Sequence, residues 1–65
     1  MLRNHVRIKR WERRIKQYEL AAMIKVPPPI ISLIENGHLL PDDRLKFKIM
    51  KALNCKSVEE IFPKI

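Results

Sequence analysis

The fold of this chain is decided by the stretch Ile30-Ile31-Ser32-Leu33-Ile34-Glu35-Asn36-Gly37. We interpret it as the end of a short buried helix, because the pair Asn-Gly enters the left-handed backbone region readily and stops a helix. Pro27, Pro28 and Pro29 stand immediately before it. Proline suits the first helical turn, where its fixed φ is already helical and its missing N–H would have no partner. Two helical turns are not stable alone, so the rest of the chain must hold this stretch in place.

The composition describes one small, strongly basic domain over residues 1–65. A chain of 65 residues buries only about 60% of its unfolded surface, so its stability is expected to be marginal. Fourteen Lys and Arg against seven Asp and Glu give a net charge of +7 and a pI of 10.1. This charge predicts an anionic partner, most often nucleic acid and sometimes a membrane surface or an acidic protein. The alternative is a basic surface that only aids solubility.

The polar residues form no recognisable catalytic or metal site. His5 and His38 are far apart and match no zinc-ligand spacing. Cys55 has no histidine arrangement that would activate it, and we interpret it as a small packing residue. We therefore expect no enzyme activity, cofactor, metal or small-molecule ligand. The single cysteine and the lack of an apolar run of signal or membrane-spanning length predict a cytoplasmic location.

The first predicted helix covers about residues 4–13 and is very basic. Residues 3–16 hold seven of the fourteen Lys and Arg, and only Glu12 opposes them. We interpret Asn4 as the N-cap. The apolar anchors, at near-helical spacing, are Val6, Ile8, Trp11 and Ile15. A basic amphipathic helix also suits an anionic membrane surface, but the narrow apolar face favours core packing, with Trp11 as a core residue.

Two more predicted helices surround the opening stretch. The second covers residues 17–24, and the face that would be buried carries Leu20, Ala21 and Ile24. The third covers residues 28–35, with Ile31 and Ile34 as its core contacts. Lys25 and Val26 form the turn between them.

The remaining chain predicts two further helices. Pro41-Asp42-Asp43 begins the fourth, whose core stripe is Leu45, Ile49, Ala52 and Leu53, widened by Phe47 or Met50. Ser57 and Glu60 have the spacing of a capping box, which predicts a last short helix to about Phe62. No segment alternates as a strand would, so we expect an all-α fold of five short helices.

The central helices carry a family resemblance. Gln17, then Leu20-Ala21, and later Glu35-Asn36-Gly37 resemble the Cro/C1-type (xenobiotic-response-element) helix-turn-helix family. That family includes the lambdoid phage repressors and many small bacterial regulators. The resemblance covers about residues 6–62, with the helix-turn-helix core at about 17–37. It implies a compact five-helix, lambda-repressor-like domain that binds double-stranded DNA as a sequence-selective transcriptional regulator, with its third helix in the major groove.

The resemblance also implies roles for individual residues. Gln17 and Asn36 match family residues that contact backbone phosphates. Arg10 and Glu35 match an ion pair that joins the first helix to the end of the third, which gives both a structural role. The positions that face the bases in the family, or point outward beside them, are occupied by Pro28, Pro29, Ser32 and Leu33.

These base-facing residues are an unusual set. Direct readout needs side-chain donors and acceptors; proline has none, and leucine offers only apolar contact, for example with a thymine methyl. Phosphate contacts are therefore predicted to dominate. The cations placed for them are Lys16, Lys25 and Arg44.

Two questions about partners stay open in the sequence. The apolar outward residues of the third helix also suit a protein-interaction module on this scaffold, such as an antitoxin-like or co-regulator subunit that binds DNA weakly and mainly non-specifically. A homodimer on a palindromic site is also attractive for so small a module. By family analogy its surface would include Leu39, Leu40, Phe47 and residues 61–65, although core packing is favoured for Phe47 and Ile61.

Overall fold

The computed structural model describes residues 4–63, which form four α-helices and one 3-10 turn. The helices are α1 (Val6–Glu12), α2 (Gln17–Ile24), α3 (Pro28–Glu35) and α4 (Asp43–Ala52). No strand occurs in this part of the chain. The all-α prediction therefore agrees with the structure, but the predicted count of five helices is wrong, because the fifth element is only the 3-10 turn Val58–Glu60.

The last element differs from the prediction because the expected capping box does not form. The Ser57 side chain makes no capping hydrogen bond, and the Glu60 carboxylate accepts from the backbone N–H of Lys56 at 3.2 Å instead. Pro63 follows three residues after Glu60 and disfavours a helical conformation for the residue before it. The chain therefore makes a single turn, after which Ile61 and Phe62 enter the core.

The ends of the central helices follow from local chemistry. Glu19 accepts a hydrogen bond from the backbone N–H of Lys16 at 2.7 Å and satisfies a donor at the start of α2. Lys25 then ends α2 in the left-handed region, with φ 61°. Prolines occupy the first turn of α3, and Gly37 has φ 77° just beyond its end. Asn36 keeps a φ of −89°, so only the glycine of the predicted pair is left-handed.

The helix α4 begins as its sequence predicts. Asp42 is the N-cap, and its carboxylate accepts from the backbone N–H of Leu45 at 2.8 Å. A capping carboxylate at this end also interacts favourably with the helix dipole. Asn54 follows α4 in the left-handed region with φ 55°, which allows the chain to turn back toward the core.

One core joins all five elements. Its fully buried side chains come from each helix and from the C-terminal segment: Val6, Leu20, Ile31, Ile34, Ile49, Leu53 and Ile61. The backbone N–H of His5 donates to the carbonyl of Ile61 at 2.7 Å and ties the start of α1 to the C-terminal segment. Because α2 and α3 contribute two or more core residues each, their mutual position is fixed by packing.

Three apolar residues that we predicted to be buried are exposed. Ile8 is 52%, Trp11 77% and Phe47 51% exposed. At about 100° per residue, Ile8 and Trp11 lie on the side of α1 opposite the buried Val6, and Phe47 lies nearly opposite Ile49 on α4. Met50, not Phe47, widens the core stripe of α4. The short α1 can bury only one stripe, and Val6 occupies it.

Asn4 acts next to the predicted position. The N-cap of α1 is His5 rather than Asn4, so the helix begins one residue later than this cap predicts. Asn4 still accepts from the backbone N–H of Val6 at 3.1 Å. Its amide also donates to the carbonyl of Ile34 at 2.7 Å, so one side chain links the beginning of α1 to the end of α3.

None of the helices within residues 4–63 is long and apolar enough to cross a membrane.

The left-handed conformation of Lys25 gives a test of the turn. A non-glycine residue in this region destabilises the folded state by roughly 1–2 kcal/mol. Glycine avoids this strain, but it also stabilises the unfolded chain by its greater conformational entropy, so only part of the strain energy is recovered. We expect Lys25→Gly to raise the free energy of unfolding by about 0.5–1 kcal/mol in urea denaturation. The matched control Ala22→Gly, at an exposed position inside α2, should lower it by about 1 kcal/mol. Equal losses for both variants would contradict the geometry of this turn.

Candidate nucleic-acid interface

A buried carboxylate lies where α1, α2 and α3 meet. The side chain of Glu35 is 0% exposed, and its Oε2 lies 2.8 Å from Nε of Arg10, itself only 15% exposed. Gln17 Nε2 donates to Glu35 Oε1 at 3.0 Å. A buried carboxylate is tolerated only when cations and hydrogen-bond donors surround it. Glu35 therefore fixes the end of α3 to α1 and to the first residue of α2.

Arg10 is held on more than one side. Its Nη2 donates to Glu35 Oε1 at 3.4 Å, which makes the contact with the carboxylate two-pronged. Its Nη1 donates to the carbonyl of Ile15 at 2.9 Å, in the segment between α1 and α2. Such a planar, bidentate pair has a defined geometry that a lysine would not reproduce. The structure thus brings together the two residues that we paired by resemblance.

Arg7 extends this network to the surface and was missed in the sequence. Its Nε lies 3.5 Å from Glu35 Oε1, and its side chain is 63% exposed. Its Nη2 donates to Asn36 Oδ1 at 3.3 Å, and Asn36 Nδ2 donates to Ser32 Oγ at 3.4 Å. Arg7 lies one helical turn before Arg10, and this spacing was the available signal for a second arginine on the same face. Arg7 and Arg10 of α1 therefore both help to hold the end of α3, and Arg7 does so from a largely exposed position.

The four predicted base-facing residues occupy α3 as follows. Pro28 and Pro29 are exposed in the first turn, Leu33 is 41% exposed one turn later, and Ser32 is half-buried. The opposite side of the helix carries the buried Ile31 and Ile34. The free surface of α3 is therefore apolar and nearly devoid of hydrogen-bonding groups. Ser32 supplies the one side-chain hydroxyl, which already accepts from Asn36.

The predicted phosphate-contacting cations are all exposed. Lys16 precedes α2, Lys25 lies in the turn before α3, and Arg44 lies in the first turn of α4. The ion pairs found among residues 4–63 involve Arg7, Lys9, Arg10 and Arg13, and none of these three. None of the three therefore forms an ion pair within 4.0 Å with a carboxylate of residues 4–63. Of the two predicted amide contacts, Gln17 is half-buried and Asn36 is exposed.

Cys55, the residue considered above as a nucleophile, is half-buried. Burial raises the pKa of the Cys55 thiol, and the nearby Arg13 offsets this only in part. A thiol with a raised pKa is less often the thiolate that nucleophilic catalysis or metal binding needs. No group of three or more metal-ligating side chains occurs in the described part of the chain.

The buried carboxylate gives a stability test with an internal control. Glu35→Gln keeps the shape of the side chain but leaves Arg10 without its counter-charge, and we expect a loss of about 3 kcal/mol in the free energy of unfolding. Glu12→Gln is the matched control, because Glu12 pairs with Lys9 and Arg13 at the exposed surface, where ion pairs contribute at most about 1 kcal/mol. Urea denaturation measures both. Equal losses would show that Glu35 is not the central contact.

Comparison with known proteins agrees with this arrangement. A family model described as helix-turn-helix matches residues 6–61, which include all four α-helices and the 3-10 turn. No curated protein matches the chain in sequence. The matched region covers most of the chain and contains α2, α3 and the buried ion pair that joins them to α1. The chain belongs to the Cro/C1-type helix-turn-helix family, a family of DNA-binding transcription regulators.

Proposed function

We propose that this protein is a sequence-selective regulator of transcription, of bacterial or phage type, that acts in the cytoplasm and binds duplex DNA with α3 in the major groove. The observation that carries the proposal is the exposed face of α3 together with three exposed cations. Two of them, Lys16 and Lys25, precede α3 in the chain, and Arg44 follows it. An α-helix fits the width of the major groove, and cations at its borders meet the flanking phosphates.

The phosphate contacts come from both charged and neutral groups. Lys16, Lys25 and Arg44 supply charge, and their contacts release counterions from the DNA. Gln17 uses one N–H of its amide on Glu35. An amide nitrogen carries two hydrogens, so the second remains for a phosphate oxygen. The same reasoning applies to Asn36, whose Nδ2 donates one hydrogen bond to Ser32. Contacts within the protein therefore orient both amides before the DNA arrives.

Base recognition is proposed to be mainly apolar. Leu33 is the largest exposed side chain of α3 and can contact the C5-methyl group of thymine, which projects into the major groove. Pro28 and Pro29 offer shape but no hydrogen bonds. A helix of this kind discriminates between sequences less strongly than one with bidentate polar contacts, each of which contributes roughly 1–3 kcal/mol. Sequence-dependent DNA shape would add to the selectivity.

A homodimer would double the number of contacts on a palindromic site. Of the described residues proposed for a dimer surface, Leu40 is 60% and Phe47 51% exposed, whereas Ile61 is fully buried in the core. Leu39 is half-buried. Residues 64 and 65 of that surface lie outside the described residues. Leu40 therefore offers an exposed apolar contact for a second copy.

The dependence of DNA affinity on salt tests the phosphate contacts. For three cationic contacts per protein, we expect the logarithm of the association constant to fall with the logarithm of salt concentration with a slope of about −3. Lys25→Ala should reduce the magnitude of this slope by about 1 and weaken binding to all duplexes similarly. Lys56→Ala is the control, since Lys56 is exposed in the segment after α4. No binding of duplex DNA at low salt would contradict the proposal.

The second candidate function is a protein-interaction module with weak, mainly non-specific DNA binding. It is favoured by the apolar exposed face of α3, where Leu33 is 41% exposed. Leu33→Glu separates the two functions. The substitution places a carboxylate against the phosphates and bases, so direct DNA reading predicts loss of sequence preference. Loss of a protein complex, with non-specific DNA affinity merely reduced, would favour the interaction module.

A further inference from the structure

A second surface of the molecule combines exposed apolar side chains with positive charge. It is the groove between the end of α2 and the outer side of α4, with a volume of about 530 Å³. Its apolar part comes from Met23 and Ile24 of α2 and from Phe47 and Ala52 of α4. None of the exposed residues of α3 lines this α2–α4 groove. Its size falls within the range of about 300–1,000 Å³ that is typical of binding pockets.

The two largest apolar side chains of the groove are left open to solvent. Met23 is 53% and Phe47 51% exposed, whereas Ile24 is buried beneath them at 4%. Ala52 is half-buried, and its small side chain leaves room between the helices. Exposed, neighbouring apolar side chains of this size are typical of interaction sites, whereas single ones are common on any surface. The open side chains of the α2–α4 groove would anchor apolar residues of a partner.

The remaining lining residues carry charge of one sign only. They are Lys25, Lys48 and Lys51, with no carboxylate among them. The Lys51 ammonium lies 5.5 Å from the centre of the Phe47 ring, so cation and aromatic ring form one continuous surface. All three lysines are exposed. A basic border around an apolar centre complements a partner with acidic residues around apolar ones.

We propose that the α2–α4 groove is a docking site for an acidic amphipathic helix of a partner protein. Apolar side chains at positions i, i+3 or i+4, and i+7 would contact Met23 and Phe47, as helices do in other apolar grooves. Flanking Asp or Glu residues would meet the lysines. DNA is a poorer occupant, because phosphates would leave the exposed Met23 and Phe47 without an apolar partner.

Synthetic peptides of about four helical turns test this site by amide chemical shifts of the full chain. One peptide carries Leu at the anchor positions and Glu beside them; a second has Lys for Glu, and a third has Ser for Leu. We expect the first peptide alone to shift the amides that line the groove, with weaker binding at higher salt. Shifts confined to α3, none at millimolar peptide, or equal binding of the Lys peptide would overturn the proposal.

Matched variants separate the groove from a general basic surface. Phe47→Ser should weaken binding of the acidic Leu peptide about tenfold, as loss of a central aromatic contact does. The double variant Lys48→Glu, Lys51→Glu should weaken it at least as much and leave Lys25, a proposed DNA contact, intact. Leu40→Ser and Lys56→Glu are the controls for exposed apolar and basic residues outside the groove. Unchanged affinity in the groove variants, or groove shifts on concentrating the protein without peptide, would overturn the proposal.

Discussion

The buried carboxylate of Glu35 is the contact on which the position of α3 depends. The helix has only eight residues, too few to be stable alone, and its two fully buried residues fix which face turns inward. The contacts of Glu35 with Arg10 and Gln17 also fix the orientation of α3, because they attach its end to α1 and α2 at defined atoms. Losing one partner would leave a buried charge uncompensated, so the three groups act as a unit.

The residues that hold α3 in place differ from those proposed to contact DNA bases. Arg7 and Arg10 both form ion pairs with Glu35 inside the protein. Arg7 also donates a hydrogen bond to the amide oxygen of Asn36 and so orients that side chain. None of the residues of α3 is a cation, and the cations proposed for DNA phosphates, Lys16, Lys25 and Arg44, lie outside that helix. The helix itself presents proline and leucine. In the proposed function, such a surface would position the protein on DNA through phosphates and shape and would read bases through apolar contact.

The ends of the central helices could be predicted from the sequence, because residues within one helical turn determine them. The bounds of α2 and α3 agree with the prediction because proline, glycine and a capping carboxylate act within one turn. Burial on the outer helices was harder to predict. Trp11 and Phe47 are strongly apolar, yet short helices can bury one stripe each, and Val6 and Ile49 occupy those stripes. Glu60 bonded Lys56 rather than Ser57, a choice that the capping-box spacing cannot distinguish.

One contact of the candidate site was predicted from the family resemblance, whereas contacts between distant segments were not. The family resemblance paired Arg10 with Glu35, and the structure places them 2.8 Å apart. The contact of Gln17 with Glu35 was not anticipated, since a residue matched to a phosphate contact gave no reason to look inward. The α2–α4 groove was invisible in the sequence, because Met23 and Phe47 come together only through packing of distant segments. Residues that meet across the fold require the structure.

Replacing thymine by uracil in a bound duplex tests whether the apolar face of α3 lies in the major groove. A bound duplex selected from a random library is compared with the same duplex carrying uracil for thymine, which removes only the C5-methyl groups exposed in that groove. If Leu33 contacts such a methyl, equilibrium binding should weaken several-fold, as expected for loss of about 0.8 kcal/mol per buried methyl-sized group. Equal affinity for both duplexes would contradict placement of this face against the bases.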